Sequence, residues 1–184
     1  MTYLLPSLRV WLLTLLVCVV AYTALVFGFA QTLVPDRASG SIIEVNGHAV
    51  GSELVAQDFT APRYVWPRPS AVAYDGMGAG GSNLSPTSPD LTARAAKTVS
   101  RYGAKAANPI PADLVAASGG GLDPHISLAG ALYQADRIAA ARGLNVRVVR
   151  QLMRDMASAP GGIFAAAPIV NVLRLNLALD QIKS

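Results

Sequence analysis

The sequence predicts an α+β protein: a single N-terminal transmembrane helix followed by one mixed helix/strand extracytoplasmic domain. Three observations carry this expectation. Residues 10–34 are uncharged and almost wholly apolar. Residues 42–55 alternate around an Asn-Gly pair, the pattern of a hairpin. Beyond residue 88, apolar residues recur at helical spacing behind capping residues. The chain therefore divides into a short cytoplasmic tail (1–9), a transmembrane helix (10–34) and a soluble domain (35–184).

The apolar run lies between Arg9 and Asp36. At about 1.5 Å per residue, some twenty of its residues cross a hydrocarbon core of about 30 Å. Tyr3 and Trp11 suit the interfacial belt at one end. A cleavable signal peptide is the rival, with Gly28-Phe29-Ala30 as its cleavage site. The apolar stretch is longer than the usual core of about 7–15 residues, and only Arg9 precedes it. Arg9 and the terminal amine put the N-terminus inside and the domain outside, because Asp36 and Arg37 offset each other.

Composition narrows the function. The 184 residues carry a net charge of +4 and no basic block, so nucleic acid is not an expected partner. The apolar share of 52% reflects the anchor and many alanines. The single cysteine, Cys18, lies in the apolar run, so the domain has neither disulfide nor thiolate metal site.

Within the domain, 35–41 reads as an exit linker. Residues 42–45 and 49–55 form the hairpin arms around Asn46-Gly47. Residues 59–73 hold Pro62, Pro67 and Pro69 and predict an extended, packed loop, because proline suits neither a long helix nor a central strand. Residues 75–83, DGMGAGGSN, are a glycine-rich loop. Ser88 caps a first helix with Pro89 behind it, an apolar stripe of Leu91, Ala95, Val99 and Tyr102, and a stop at Asn108-Pro109. Residues 114–117 are a short-strand candidate. Ser127 caps a second helix, with Leu128, Leu132, Ala135 and Ile138 as its stripe and Gly143 as its end. Asn145 caps a third, whose apolar face is Val146, Val149, Leu152, Met153 and Met156, ending at Pro160-Gly161-Gly162. The tail 171–182 alternates like a strand, yet its Ala, Leu and Gln content behind Asn171 favours a helix.

Three patterns invite a chemical reading. Gly76-x-Gly78-x-x-Gly81 matches the dinucleotide fingerprint, but no clear strand precedes it and no helix opens on it. A loop needing positive φ or close backbone approach is the better account. Asp123, His125 and Ser127 supply an acid, an imidazole and a hydroxyl, and so offer an anchored hydrolase as the alternative function. A contiguous run seldom has relay geometry, and Ser127 already has a capping role. Arg147, Arg150 and Arg154 share one face of the third helix, facing acidic headgroups, an acidic partner or simply water. His48 and His125 are the only histidines, and no metal-ligand spacing is present.

The wording of the sequence is more specific than its patterns. GSELVAQDF, PRYVWPRPSA, GAGGSNLSPTSPDL, LVAASGGGLDPHIS, ARGL and VNVLRLNLALD follow one another in order. The chain resembles the C-subunit family of the Kdp potassium-transporting ATPases from its anchor to its last residues. It departs from the family at Ala56, where glycine is usual, at Pro67-Arg68-Pro69, where glycine-arginine-proline is usual, and in the flanks of the proline in 165–169.

The resemblance implies an accessory subunit without catalytic residues of its own, in the plasma membrane, needed for assembly of an ATP-driven potassium importer. Its implied partners are the channel-like potassium-translocating subunit, the P-type ATPase subunit, a small peptide subunit and membrane lipid. The family is described as a catalytic chaperone that raises ATP affinity, so ATP association is implied by resemblance alone, with no tightly bound cofactor and no metal. The residues matching family motifs, with structural or partner-contacting roles, are Gln57, Arg63, Arg68, Gly80, Gly81, Ser82, Asn83, Asp123, Pro124, His125, Ser127, Asn171 and Asn176.

Overall fold

A computed structural model describes residues 3–162 and 167–182. It divides into two compact units, Met1–Ala49 and Val50–Ser184.

The first unit is dominated by one continuous helix, Leu4–Leu33, with a mean hydropathy of 2.5 and no burial within the protein. It comprises α1 (Leu4–Leu15), a π segment (Leu16–Ala21) and α2 (Tyr22–Leu33). Thirty residues at about 1.5 Å each exceed the bilayer's hydrocarbon thickness, so the helix is long and apolar enough to cross. Helix begins at Leu4, so most of the 1–9 segment is helical too. Val34 leaves the helical region, and the exit linker opens with a single turn, α3 (Pro35–Ala38). The expected hairpin follows as β1 (Ile42–Val45) and β2 (His48–Ser52). Asn46 and Gly47 have φ of +54° and +76°, the doubly positive turn that matches strand twist. Leu54 and Val55 lie beyond the strand.

In the second unit, 59–73 is the irregular packed loop that its prolines predict, and it buries Val65 and Trp66. Ser88 opens α4 (Pro89–Tyr102), although its side chain makes no capping bond. The helix stops at left-handed Gly103, before the expected Asn108-Pro109. The strand expected at 114–117 is instead a 3-10 turn, Ala112–Leu114, which Pro111 enters and which drives Leu114 into the core.

Two strands escaped the sequence reading because each is only three residues long. β3 (His125–Ser127) and β4 (Ile169–Asn171) pair antiparallel, with His125 opposite Asn171 and Ser127 opposite Ile169. Each runs directly into a helix through a capping residue. Ser127 accepts from the Gly130 amide ahead of α5 (Leu128–Tyr133). Asn171 accepts from the Arg174 amide ahead of α8 (Val172–Gln181), so the ambiguous tail is a helix, as composition favoured.

The expected second helix is broken. α5 ends at Gln134, and α6 (Ala135–Arg142) continues to left-handed Gly143. The Gln134 amide bonds back three residues to Ala131, a tightened turn. Asn145 caps α7 (Val146–Asp155) through the Arg147 amide. That helix ends at Met156, ahead of Pro160. Leu114, Ile126, Ile138, Val149, Met153, Val170, Leu175 and Leu179 are the fully buried centre, joined by Val65 from the loop. The family departure at 165–169 lies partly outside the described residues.

Candidate functional site

Extended backbone cannot pair with itself, so the buried Val65 and Trp66 of this loop must find partners for their amides and carbonyls elsewhere. Two side-chain amides supply them. Asn176 of α8 accepts from the Val65 N–H at 2.8 Å and donates to the Val65 carbonyl at 3.0 Å. Gln134, at the α5–α6 break, accepts from the Trp66 N–H at 2.8 Å and donates to the Trp66 carbonyl at 3.1 Å. Each amide therefore acts as one residue of a missing strand. Both are 1% exposed, so these four bonds replace solvent that has no access.

Arginines tie down the rest of the loop. Arg137 donates to the Pro62 carbonyl, to the Tyr64 carbonyl at 3.1 Å and to Gln134 Oε1 at 2.7 Å. Its guanidinium also lies 3.7 Å from the Trp66 ring centroid, a cation–π contact. Burial lowers the Arg137 pKa to about 10, with Arg101 adding to the effect and Tyr102 opposing it. Arg142 donates to the Arg63 and Leu179 carbonyls and pairs with Asp180 at 2.8 Å. Arg63 and the Tyr64 hydroxyl reach the same carboxylate, at 3.2 and 3.0 Å.

A second cluster joins the loop to β3. Arg68 pairs with Asp123 at 3.0 Å and reaches the Ala117 carbonyl. Asp123 also accepts from the His125 amide at 3.0 Å, and the His125 Nδ1 stands 3.7 Å from the same carboxylate. Ser127 donates to Asp113 at 3.1 Å and accepts from the Gly130 amide at 2.8 Å, while its own amide donates to Asp113 at 2.8 Å. Arg68, Asp113, Asp123, His125, Ile126, Ser127 and Ile169 surround a hollow of about 240 Å³.

This arrangement does not make a hydrolytic relay. The Ser127 hydroxyl has both roles filled by Asp113 and Gly130, and among the described residues no hydrogen bond joins it to His125. Asp123 serves Arg68 and a backbone amide. Among the described residues no group of three or more His, Cys, Asp or Glu could hold a metal ion.

The glycine-rich loop is a packing device. The Gly80 amide donates to the Gly120 carbonyl at 2.9 Å. A Cβ on Gly81 would stand 2.7 Å from the Gly119 carbonyl, so only glycine allows the two loops to touch. Gly121, at φ +71°, would meet the Gly80 carbonyl at 2.8 Å and Val72 at 2.5 Å. Close approach accounts for the glycine at 81, whereas a Cβ on Gly76 would meet nothing within 4 Å and one on Gly78 only the Asp75 carboxylate at 3.7 Å.

The remaining motif residues complete the same belt. Gln57 lies over Gly51, with its Nε2 buried. Asn171 donates to the Glu53 carbonyl at 2.8 Å, and the Pro124 carbonyl accepts from the Val172 amide. Ser82 is half-buried beside left-handed Asn83, at φ +50°. On α7, Arg150 is paired with Asp136 at 3.0 Å, while Arg147 and Arg154 are exposed.

Gln134, Arg137, Arg142, Asp113 and Asp180 were missed as site residues by reasoning from sequence. Gln134 had a usable signal, since it lies on the buried face between Ala131 and Ile138. A polar residue on an apolar stripe calls for a partner.

The family whose model matches residues 4–181 is described as KdpC: K+-transporting ATPase, c chain. The potassium-transporting ATPase KdpC subunit of Parvibaculum lavamentivorans is 56% identical over 179 residues, covering 97% of this chain and 96% of that protein. The subunit of the same name from Methylococcus capsulatus is 45% identical over 184 residues, covering 97% of each. That from Serratia proteamaculans is 43% identical over 191 residues and covers both chains fully.

Proposed function

The chain belongs to the KdpC family, the c chain of K+-transporting ATPases, and from that premise we propose that it is a non-catalytic assembly subunit whose domain is extracytoplasmic. The apolar helix packs on the membrane parts of its partners, the channel-like potassium-translocating subunit, the ATPase subunit and the small peptide subunit. Ala21, Ala24, Gly28 and Ala30 let a neighbouring helix approach closely. The domain covers the outer mouth of the potassium path.

The observation that carries this reading is where the motif polar groups go. Arg68, Asp123, Ser127, Asn171 and Asn176 all hold the chain to itself. They brace the fold, and among the described residues they do not leave the Ser127 hydroxyl free beside His125. A hydrolase needs the Ser127 hydroxyl free and turned to His125, which the Asp113 bond opposes.

An extracytoplasmic domain cannot touch cytoplasmic ATP. A chaperone effect on ATP affinity then travels through the membrane parts as a coupling between sites, with no nucleotide bound by this chain. Two measurements test the reading. A periplasm-active reporter fused after Ser184 should be active; activity only from a cytoplasmic reporter overturns the topology. Co-expressed with its partners, the chain should co-purify with them; a chain that runs alone overturns the assembly role.

A further inference from the structure

Residues 84–102, most of which are α4, are attached to the second unit unlike the elements around them. The 59–73 loop is tied down by Asn176, Gln134 and three arginines. Among the described residues, no hydrogen bond or ion pair joins 84–102 to the rest of the protein beyond the helix's own closing bonds at Gly103 and Ala104. α4 has no buried residue. Tyr102, in its last turn, packs against the buried core, whereas Leu91, Ala95 and Val99 are half-buried without reaching it. Arg94 buries its Nε with no acceptor among the described residues, which costs stability instead of adding it. The segment is bounded by two left-handed residues, Asn83 at φ +50° and Gly103 at φ +59°. Asn83 to Thr87 are exposed, and a Cβ on Gly103 would meet nothing within 4 Å, so neither boundary is packed in place.

The hold on α4 is concentrated at its last turn. The Arg101 guanidinium lies 3.9 Å from the Trp66 ring centroid, and the Tyr102 ring meets the same indole edge-on at 5.1 Å. Tyr102 also meets Tyr133 at 6.1 Å. Arg137 stands 3.7 Å from the same indole and is fixed there by its bonds to the loop carbonyls. Two cations on one ring repel, and Arg101, which has no ion pair among the described residues, is the one free to leave. We propose that 84–102 is a hinged arm that opens as one unit, pivoting at Asn83 and Gly103, with Arg101 and Tyr102 on Trp66 as its latch. Segments with few buried contacts open at a small part of the free energy of global unfolding, and hinges are residues able to absorb a change in φ and ψ. Trp66 is 7% exposed with the arm closed, and opening bares the part of its indole that α4 covers. The loop stays behind, because Gln134, Arg137 and Asn176 hold it from other helices.

The test is amide hydrogen exchange of the full chain in detergent. The hydrogen-bonded amides of α4 should exchange about a hundredfold or more faster than those of α7 and α8, with nearly uniform protection along the helix, because the arm opens as a unit. Protection equal to that of α7 and α8 overturns the proposal. So does protection that grades steadily inward from the helix ends, which is fraying. Arg101→Ala should speed exchange throughout α4 by about tenfold, the range of one cation–π contact, with α7 and α8 unchanged as the check on folding. Lys97→Ala, an exposed position outside the latch, should leave exchange in α4 within about twofold. Equal effects of the two substitutions overturn the latch.

Discussion

Asn176 holds both backbone polar groups of Val65, at 2.8 and 3.0 Å, across 111 residues of sequence. The side chain of a helix thereby stands in for a strand that the proline-rich loop could not pair with. Gln134 repeats the device one residue later, on Trp66.

Replacing Asn176 with alanine leaves a buried N–H and a buried carbonyl without partners. Each orphaned group costs about 1–3 kcal/mol, so Asn176→Ala should lose about 2–6 kcal/mol. Denaturant unfolding of the detergent-solubilised protein, followed by tryptophan fluorescence, measures it. A loss under about 0.5 kcal/mol, the range of an ordinary surface change, contradicts the clamp.

The loop-to-loop contact predicts a contrast among glycines. Gly121→Ala meets a carbonyl and Val72 at positive φ, and Gly81→Ala meets the Gly119 carbonyl. Both should lose about 1–3 kcal/mol. Gly120→Ala, with nothing within 4 Å, should change stability little. Equal effects at all three positions would refute the packing account. Thermal unfolding of the three variants side by side is sufficient.

Ser127→Ala should lose about 1 kcal/mol, the usual value of a lost N-cap. Asp113→Ala should lose more, because it strands the Ser127 amide as well as its hydroxyl. The purified protein should show no esterase turnover that depends on His125. Turnover abolished by His125→Ala would restore the hydrolase reading.

Alkaline pH should weaken the domain. Burial, aided by Asp58 and opposed by Arg101, raises the Tyr74 pKa from 10.0 to about 12. Burial raises Tyr102 as well. In the folded state these phenols keep protons that the unfolded chain releases. Their contribution is therefore complete below about pH 10 and is lost as pH climbs through the raised values. Arg137 runs in the opposite direction, since its folded pKa is lowered from 12.5 to about 10. The unfolded chain then holds the extra proton, and this group's contribution rises with pH over that window. Two phenols against one guanidinium leave a net fall. Tyr74→Phe should flatten that fall while costing some stability at neutral pH, where the hydroxyl donates to the Arg68 carbonyl at 2.9 Å. Tyrosinate absorbance tracks the titration; every tyrosine ionising near pH 10 in the folded protein rules the burial effect out.

Much of the chain was legible before folding. The apolar run, the Asn-Gly hairpin, the proline-rich loop, the helix α4 and the capped helices α7 and α8 follow from local preferences that act within a few residues. The family resemblance rests on the same linear text. The misses share one cause. β3 and β4 are too short for a periodic signal and exist because each finds the other across some forty residues. The helix break at Gln134 coincides with its bonds to a loop 68 residues away. Residues 114–117 have the content of a strand, but Pro111 and the pull of Leu114 into the core make a turn.

The candidate site divides in the same way. Its residue types and many of its positions could be read in sequence, including Ser127 and Asn171 as caps. The direction in which each polar group is committed could not. Asp123, His125 and Ser127 look catalytic in a line of text because adjacency in sequence resembles adjacency in space. Asp113 and Arg68, brought in from elsewhere in the chain, take up the serine and the carboxylate and leave a brace instead. Local chemistry is encoded by neighbouring residues, and so the sequence by itself determined the long apolar helix, the hairpin, most of the helices and the family. Hydrogen bonds between distant residues are made only when packing brings them together, so the tertiary structure alone decided which polar groups hold the fold.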